Sequence, residues 1–134
     1  MKSFVTWMNE AYAGNIETDT LQNTDYRRVI STGPNLQLVL MAIPPGEEIG
    51  TEIHHDHDQF IRIEAGEAKA ILNGKETKLT DGMAVVVPAG TKHNFINIGK
   101  EILKLYTLYG PPEHPKGTVE KTKAEEKKEG SIDK

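Results

Sequence analysis

The sequence predicts an all-β, single-domain protein, a barrel or sandwich of short strands. Three observations carry this expectation. Short apolar segments recur between residues 26 and 109, turn signals built on Gly, Pro and Asn separate them, and almost no helical period runs through them.

The elements follow in order. Residues 1–24 form a mixed arm, in which Phe4, Val5, Trp7 and Met8 offer a patch for packing and 15–24 reads as polar and turn-like. Residues 26–30 read as a first strand, closed by Thr32, Gly33, Pro34 and Asn35. Residues 37–43 (QLVLMAI) are nearly continuous in hydrophobicity, as expected for a strand buried on both faces between a barrel interior and a partner sheet. Pro44, Pro45 and Gly46 stop it. Further strands are expected around 52–54, 59–64, 68–72, 77–79, 84–87, 94–97 and 102–109. Asn73 followed by Gly74 marks a two-residue hairpin, because both types tolerate positive φ. Past Gly110, Pro111 and Pro112 the character changes: 113–118 is expected to form an irregular strap, and the Lys/Glu-rich end to be solvated. The expected organisation is an arm over 1–24, a barrel over 25–116 and a charged, flexible tail over 117–134.

A length of 134 residues fits one domain. Sixteen Lys and Arg against twenty Asp and Glu give a net charge of -4, so no basic surplus exists to neutralise phosphates and nucleic acid is not an expected partner. The absence of cysteine excludes disulfides and thiolate metal ligands. No apolar run approaches the roughly 18 residues of a membrane span, and the first residues lack the apolar stretch of a signal peptide. The expectation is a cytoplasmic protein with no membrane contact.

The histidines stand at positions 54, 55, 57, 93 and 114. On a strand, residues two apart share a face, so a barrel wall can present paired ligands at i and i+2. One array runs Gly82, five residues, Pro88, one residue, Gly90, two residues, His93, three residues, Asn97. It reads as a buried strand, a turn in which Pro88 fixes φ and Gly90 supplies freedom, and a returning strand with His93 facing inward. A second array runs Gly46, five residues, Glu52, one residue, His54, four residues, Gln59, six residues, Gly66.

These arrays resemble the two motifs of the cupin superfamily. The 82–97 array matches at every position. The 46–66 array matches in spacing, with Glu52 where the family has its first His and Gln59 where it has Glu. Pairing His55 with His57 instead would place Ile49 where a glycine belongs. The resemblance extends to YRRVISTG at 26–33, QLVLMAIPPGEEIG at 37–50, DQFIRIEAGE at 58–67 and KLYTLYGPPEHPKGTVEKTKAE at 104–125. These segments are similar to short stand-alone cupins described loosely as mannose-6-phosphate-isomerase-like, without an assigned reaction. The resemblance implies a jelly-roll barrel, or double-stranded β-helix.

It also implies one divalent metal ion held by Glu52, His54, Gln59 and His93. The carboxylate has moved from the third ligand position to the first, which leaves a two-His, one-carboxylate set suited to Fe or Mn, with Gln59 adding a neutral oxygen. Zn or Ni would accept the same atoms. The alternative is a metal-free barrel whose polar interior is satisfied by water and internal hydrogen bonds.

His55, Asp56, His57 and Asp58 cluster in the following turn. An exposed, solvated turn is the expected state of any one of them, and the functional reading is a rim supplying a general acid or base. His55, His57 and Tyr106 are the catalytic candidates. His114 is expected at the surface. Strand phase points Gln59, Ile61 and Ile63 inward with His93, Phe95 and Asn97, and Phe60, Arg62 and Glu64 outward. Arg27, Arg28, Gln37, Tyr106 and Tyr109 are candidates to bind a carboxylate or hydroxyl near one mouth. Outward Phe60, Ile96 and Tyr106 favour a covered outer face and, by resemblance, a homodimer. The leading functional reading is a metal-dependent enzyme acting on a small polar metabolite, a sugar or a carboxylate or carbonyl compound, by Lewis-acid isomerase or lyase chemistry. The alternatives are an iron-dependent dioxygenase and a non-catalytic barrel that binds a small ligand or metal.

Overall fold

The computed structural model describes residues 11–126; the patch of Phe4, Val5, Trp7 and Met8 lies outside them. The elements are α1 (Ile16–Gln22), β1 (Arg27–Thr32), β2 (Gln37–Ile43), β3 (Asp58–Ala65), β4 (Ala68–Leu72), β5 (Lys75–Leu79), β6 (Ala84–Val87), β7 (His93–Asn97), β8 (Leu103–Gly110) and β9 (Val119–Glu120). They build two antiparallel sheets, a six-stranded one in the order β6-β3-β8-β2-β1-β9 and a three-stranded one in the order β5-β4-β7. This is the all-β barrel that the strand spacing predicted, in the jelly-roll form that the resemblance implied. The core lies between the sheets, where Val39, Met41, Ile61, Ile63 and Leu105 meet Ala70 and Phe95. Asn73 (φ 49) and Gly74 (φ 86) make the expected hairpin between β4 and β5. At Gly66 (φ +96) a Cβ would stand 3.0 Å from Leu103 Cα, so only glycine allows the close approach.

All seven residues of β2 are buried. Val39, Met41 and Ile43 face the core. Leu38 and Leu40 face the other way, with Ile30, Leu108 and Tyr106, and are covered by Tyr12 and Ile16. The cover predicted for β2 therefore comes from the chain's own N-terminal segment rather than from a partner sheet. Tyr106 lies beneath it, because β8 alternates Leu103, Leu105, Thr107 and Tyr109 as fully buried against Lys104, Tyr106 and Leu108 as partly covered. That phase removes Tyr106 from the interior and from the catalytic candidates.

The segment 15–24, expected to be turn-like, holds a helix. The Asn15 side chain caps it by accepting from the Thr18 amide at 2.9 Å, and Glu17 and Asp19 complement its N-terminal dipole. Two turns are too few to display a period, and so short a helix depends on tertiary packing. Glu64, expected outward, is also buried; a bulge between Ile63 and Ala65 interrupts the pairing with β8 there.

The barrel also extends past residue 116. Val119–Glu120 pairs with β1, setting Arg27 opposite Glu120, and a single 3-10 turn follows at Lys123–Glu125. Arg27, almost fully buried, lies 2.5 Å from Glu120 and 3.1 Å from Glu126. Residues 117–126 are therefore part of the folded body, whereas 127–134 lie outside the described residues. The Lys/Glu pattern gave no sign that one of its acids neutralises a buried arginine. Arg27 is thereby withdrawn from the candidate mouth groups, and Arg28 is paired with Asp25 at 3.4 Å. No helix among the described residues is long and apolar enough to cross a membrane.

Candidate metal centre

The centre forms where the segment after Gly46 runs antiparallel to β7. Ile49 donates to the Phe95 carbonyl, and Glu52 and His93 exchange backbone hydrogen bonds of 2.9 Å in both directions. Residues so paired lie opposite each other with side chains on one face, so Glu52 and His93 converge by register. The piece at 52–54 is thus a bridge rather than a strand. Two residues on, the His54 carbonyl accepts from the Gly90 amide at 2.7 Å, which ties the two motifs together. Asn97, the last motif residue, is structural: its side chain donates to the Ile43 and Glu101 carbonyls and accepts from the Gly99 amide.

Glu52, His54 and His93 bring one donor atom each within 4.8 Å of one another. His54 Nε2 and Glu52 Oε1 are 3.1 Å apart, within hydrogen-bonding distance. His93 Nδ1 lies 2.8 Å from the Thr91 carbonyl. A carbonyl only accepts, so Nδ1 carries the proton and Nε2 presents its lone pair, the orientation that metal-ligating histidines adopt. Burial, opposed by that bond and reinforced by His54, lowers the His93 pKa and keeps its ring neutral. Gln59 is buried with its amide donating to Thr107 Oγ1 at 3.0 Å, which leaves Oε1 with no hydrogen-bond partner. Gln59 thus carries a buried, unmatched carbonyl oxygen, a donor type that a hard or borderline divalent ion accepts.

The surroundings differ from expectation. His55 is exposed, as expected of the turn, but His57 is buried, with its ring 4.4 Å from that of His54. Burial and then His54 lower its pKa, against the pull of Asp56. Its burial comes from Tyr109, 5.5 Å away edge-on, and from Glu113, whose Oε1 lies 3.3 Å from His57 Nε2. Glu113 was missed by the sequence reading, since no spacing rule reaches a strap residue. Gln37 explains its placement: the Gln37 side chain accepts from the Glu113 and His114 amides and donates to the His114 carbonyl. Gln37 therefore clamps the strap and is not a free mouth group.

His114 is not the surface residue expected either, but packs edge-on against Tyr109 at 5.3 Å. Burial, helped by Arg27, His54 and His57, pushes its pKa down to about 3. The unfolded chain, with His near 6.5, then binds the proton more tightly than the folded one. The stability contributed is present in full above about pH 6.5 and is lost as pH falls toward about 3. Urea midpoints measured between pH 7 and pH 4 are expected to fall, and His114→Gln to flatten that limb by about 2 kcal/mol. An unchanged limb would show that His114 takes up its proton without opening the strap.

Residues 39–109 match the family described as Cupin domain. An uncharacterized protein of Acanthamoeba polyphaga mimivirus is 51% identical over 116 residues, 84% of this chain and 72% of that protein. A Bacillus halodurans protein of known crystal structure superposes with a TM-score of 0.84 at 43% identity, covering 86% of this chain and 92% of that one. A mannose-1-phosphate guanylyltransferase of Salmonella montevideo is 34% identical over 76 residues, 57% of this chain but 16% of that enzyme.

Proposed function

This chain belongs to the cupin family, and from that premise we propose that Glu52, His54 and His93 hold a divalent ion, with the Gln59 carbonyl as a fourth donor. We read the protein as an enzyme acting on a small polar carbonyl or sugar-type compound by isomerase or lyase chemistry. The observation that carries the metal is the convergence of three donors within 4.8 Å across the Glu52–His93 bridge. When bound, such an ion polarises a carbonyl oxygen as a Lewis acid. The chain's own groups orient and shield. The Thr91 carbonyl aims the His93 ring, and Thr107 fixes the Gln59 amide. Tyr109 is fully enclosed, and burial holds its phenol far above the ordinary range, so it stays protonated and walls the centre with its ring. The partial likeness to a guanylyltransferase that handles mannose 1-phosphate supports a sugar-type ligand.

Elemental analysis of protein purified without an affinity tag or added metal tests the reading. A stoichiometric divalent ion is expected, and its removal by chelator should lower stability by about 3 kcal/mol if the ion stands at about 100 times its Kd. Metal-free protein whose melting temperature ignores chelator would overturn it. A redox-active native ion would move the chemistry toward dioxygen, whereas zinc or nickel would support the isomerase or lyase reading.

A further inference from the structure

A second donor triangle lies on the other side of His54. His54, His57 and Glu113 also bring one donor atom each within 4.8 Å of one another, and His54 alone is common to both sets. The two sets engage opposite nitrogens of that ring. His54 Nε2 stands 3.1 Å from Glu52 Oε1, whereas Nδ1 faces Glu113 Oε1 at 3.9 Å. The lone pairs of the two imidazole nitrogens diverge across the ring, so a single ion does not use both. His57 turns Nε2 toward Glu113 at 3.3 Å, while its Nδ1 lies 3.3 Å from Asp56 Oδ1, which sets the ring's orientation.

This triangle is enclosed and held from outside. The side chains of His54, His57 and Glu113 are 4%, 5% and 10% exposed, so their donors meet little competing water. The Gln37 side chain accepts two hydrogen bonds, from the Glu113 and His114 amides, and donates one to the His114 carbonyl, which fixes the backbone that carries the Glu113 carboxylate. Tyr109 closes the remaining flank with its ring edge-on to both histidines. Two imidazoles and one carboxylate in a sheltered, prearranged triangle suit a borderline divalent ion such as Zn.

We propose that His54, His57 and Glu113 form a second divalent-cation site that shares His54 with the first. The inference rests on the reading of Glu52, His54 and His93 as a cation site. Filling both sites requires the remaining N–H proton of His54 to leave for solvent. The ring then joins the ions as an imidazolate, with its negative charge between them and one carboxylate beside each.

Zinc titration of the metal-free full-length protein, followed calorimetrically and by zinc analysis after dialysis, tests this. Two zinc ions per chain are expected for the wild type. One is expected for Glu113→Gln and for His57→Ala, one for Glu52→Gln, and none for His54→Ala. Glu113→Gln is nearly isosteric and keeps the Gln37 clamp on the backbone, so it decides the matter even if His57→Ala fails to fold. A single zinc ion unaffected by Glu113→Gln would overturn the second site and leave the first intact. A single ion whose affinity falls about tenfold or more in both Glu52→Gln and Glu113→Gln would overturn it too, since one ion would then be using all the donors. No zinc in the wild type would sink the first site as well.

Discussion

Glu120→Ala is expected to destabilise the barrel by about 3 kcal/mol, at the lower end of the cost of stripping a buried charge of its partner. Arg27 and Glu120 are 3% and 8% exposed and 2.5 Å apart on paired strands. Without that carboxylate, the guanidinium keeps, among the described residues, Glu126 at 3.1 Å, which holds the loss to the lower end. Arg27 is enclosed by Tyr26 beneath its guanidinium at 5.1 Å, so water does not readily replace the lost acceptor. Urea unfolding should show the midpoint falling by about 1–2 M with little change in slope. Glu120→Gln keeps an acceptor oxygen and should lose less. A loss under about 1 kcal/mol for Glu120→Ala would mean that the pair behaves as a surface ion pair and that β9 contributes little to holding the sheet.

His93→Ala is expected to lower divalent-metal affinity at the first site by about 100-fold or more. A four-ligand protein site worth roughly 10–16 kcal/mol implies about 3 kcal/mol for each donor, and 1.4 kcal/mol is a factor of ten. His93 also leaves no nearby substitute. The opposite residue in the register is Glu52, already a donor, and the flanking side chains Asn94 and Phe95 offer no ligand in its place: Asn94 is occupied with Gly50 and Glu48, and Phe95 is in the core. Folding should survive, since the Glu52–His93 bridge is made by backbone atoms. His55→Ala, at an exposed turn position, should leave metal binding unchanged. Calorimetric titration of the two variants side by side decides the point. Loss of affinity in His55→Ala with retention in His93→Ala would overturn the ligand register read from Gly46 to Gly66.

Much of the framework was readable in the chain. The β2 segment falls on residues 37–43 as its continuous hydrophobicity predicted, and the Asn73, Gly74 hairpin falls between β4 and β5. Glu52, His54 and His93, which the resemblance to the cupin motifs implied as a set, do converge in the structure. Gln59, expected to point inward by strand phase, is buried, and its Oε1 has no hydrogen-bond partner. The missed features share a cause. Helix α1 has too few turns to show a period, and its place is set by the outward face of β2 and β8 that it covers. Residues 119–126 read as solvated because Lys/Glu alternation carries no mark of which acid will meet a buried arginine.

The same division runs through the site. The resemblance of 46–66 and 82–97 to the family's motifs singled out His54 and His93 among the histidines, and the structure brings those two together with Glu52. The resemblance was not sufficient for His57, set aside by spacing, nor for Glu113, beyond every motif. Those two are brought beside His54 by a strap that Gln37 holds across 76 residues of sequence. Such a contact depends on where β2 and the strap meet in space. Local pattern and motif resemblance therefore pointed to the fold and the first candidate donor set, and tertiary packing alone decided what faces the other nitrogen of His54.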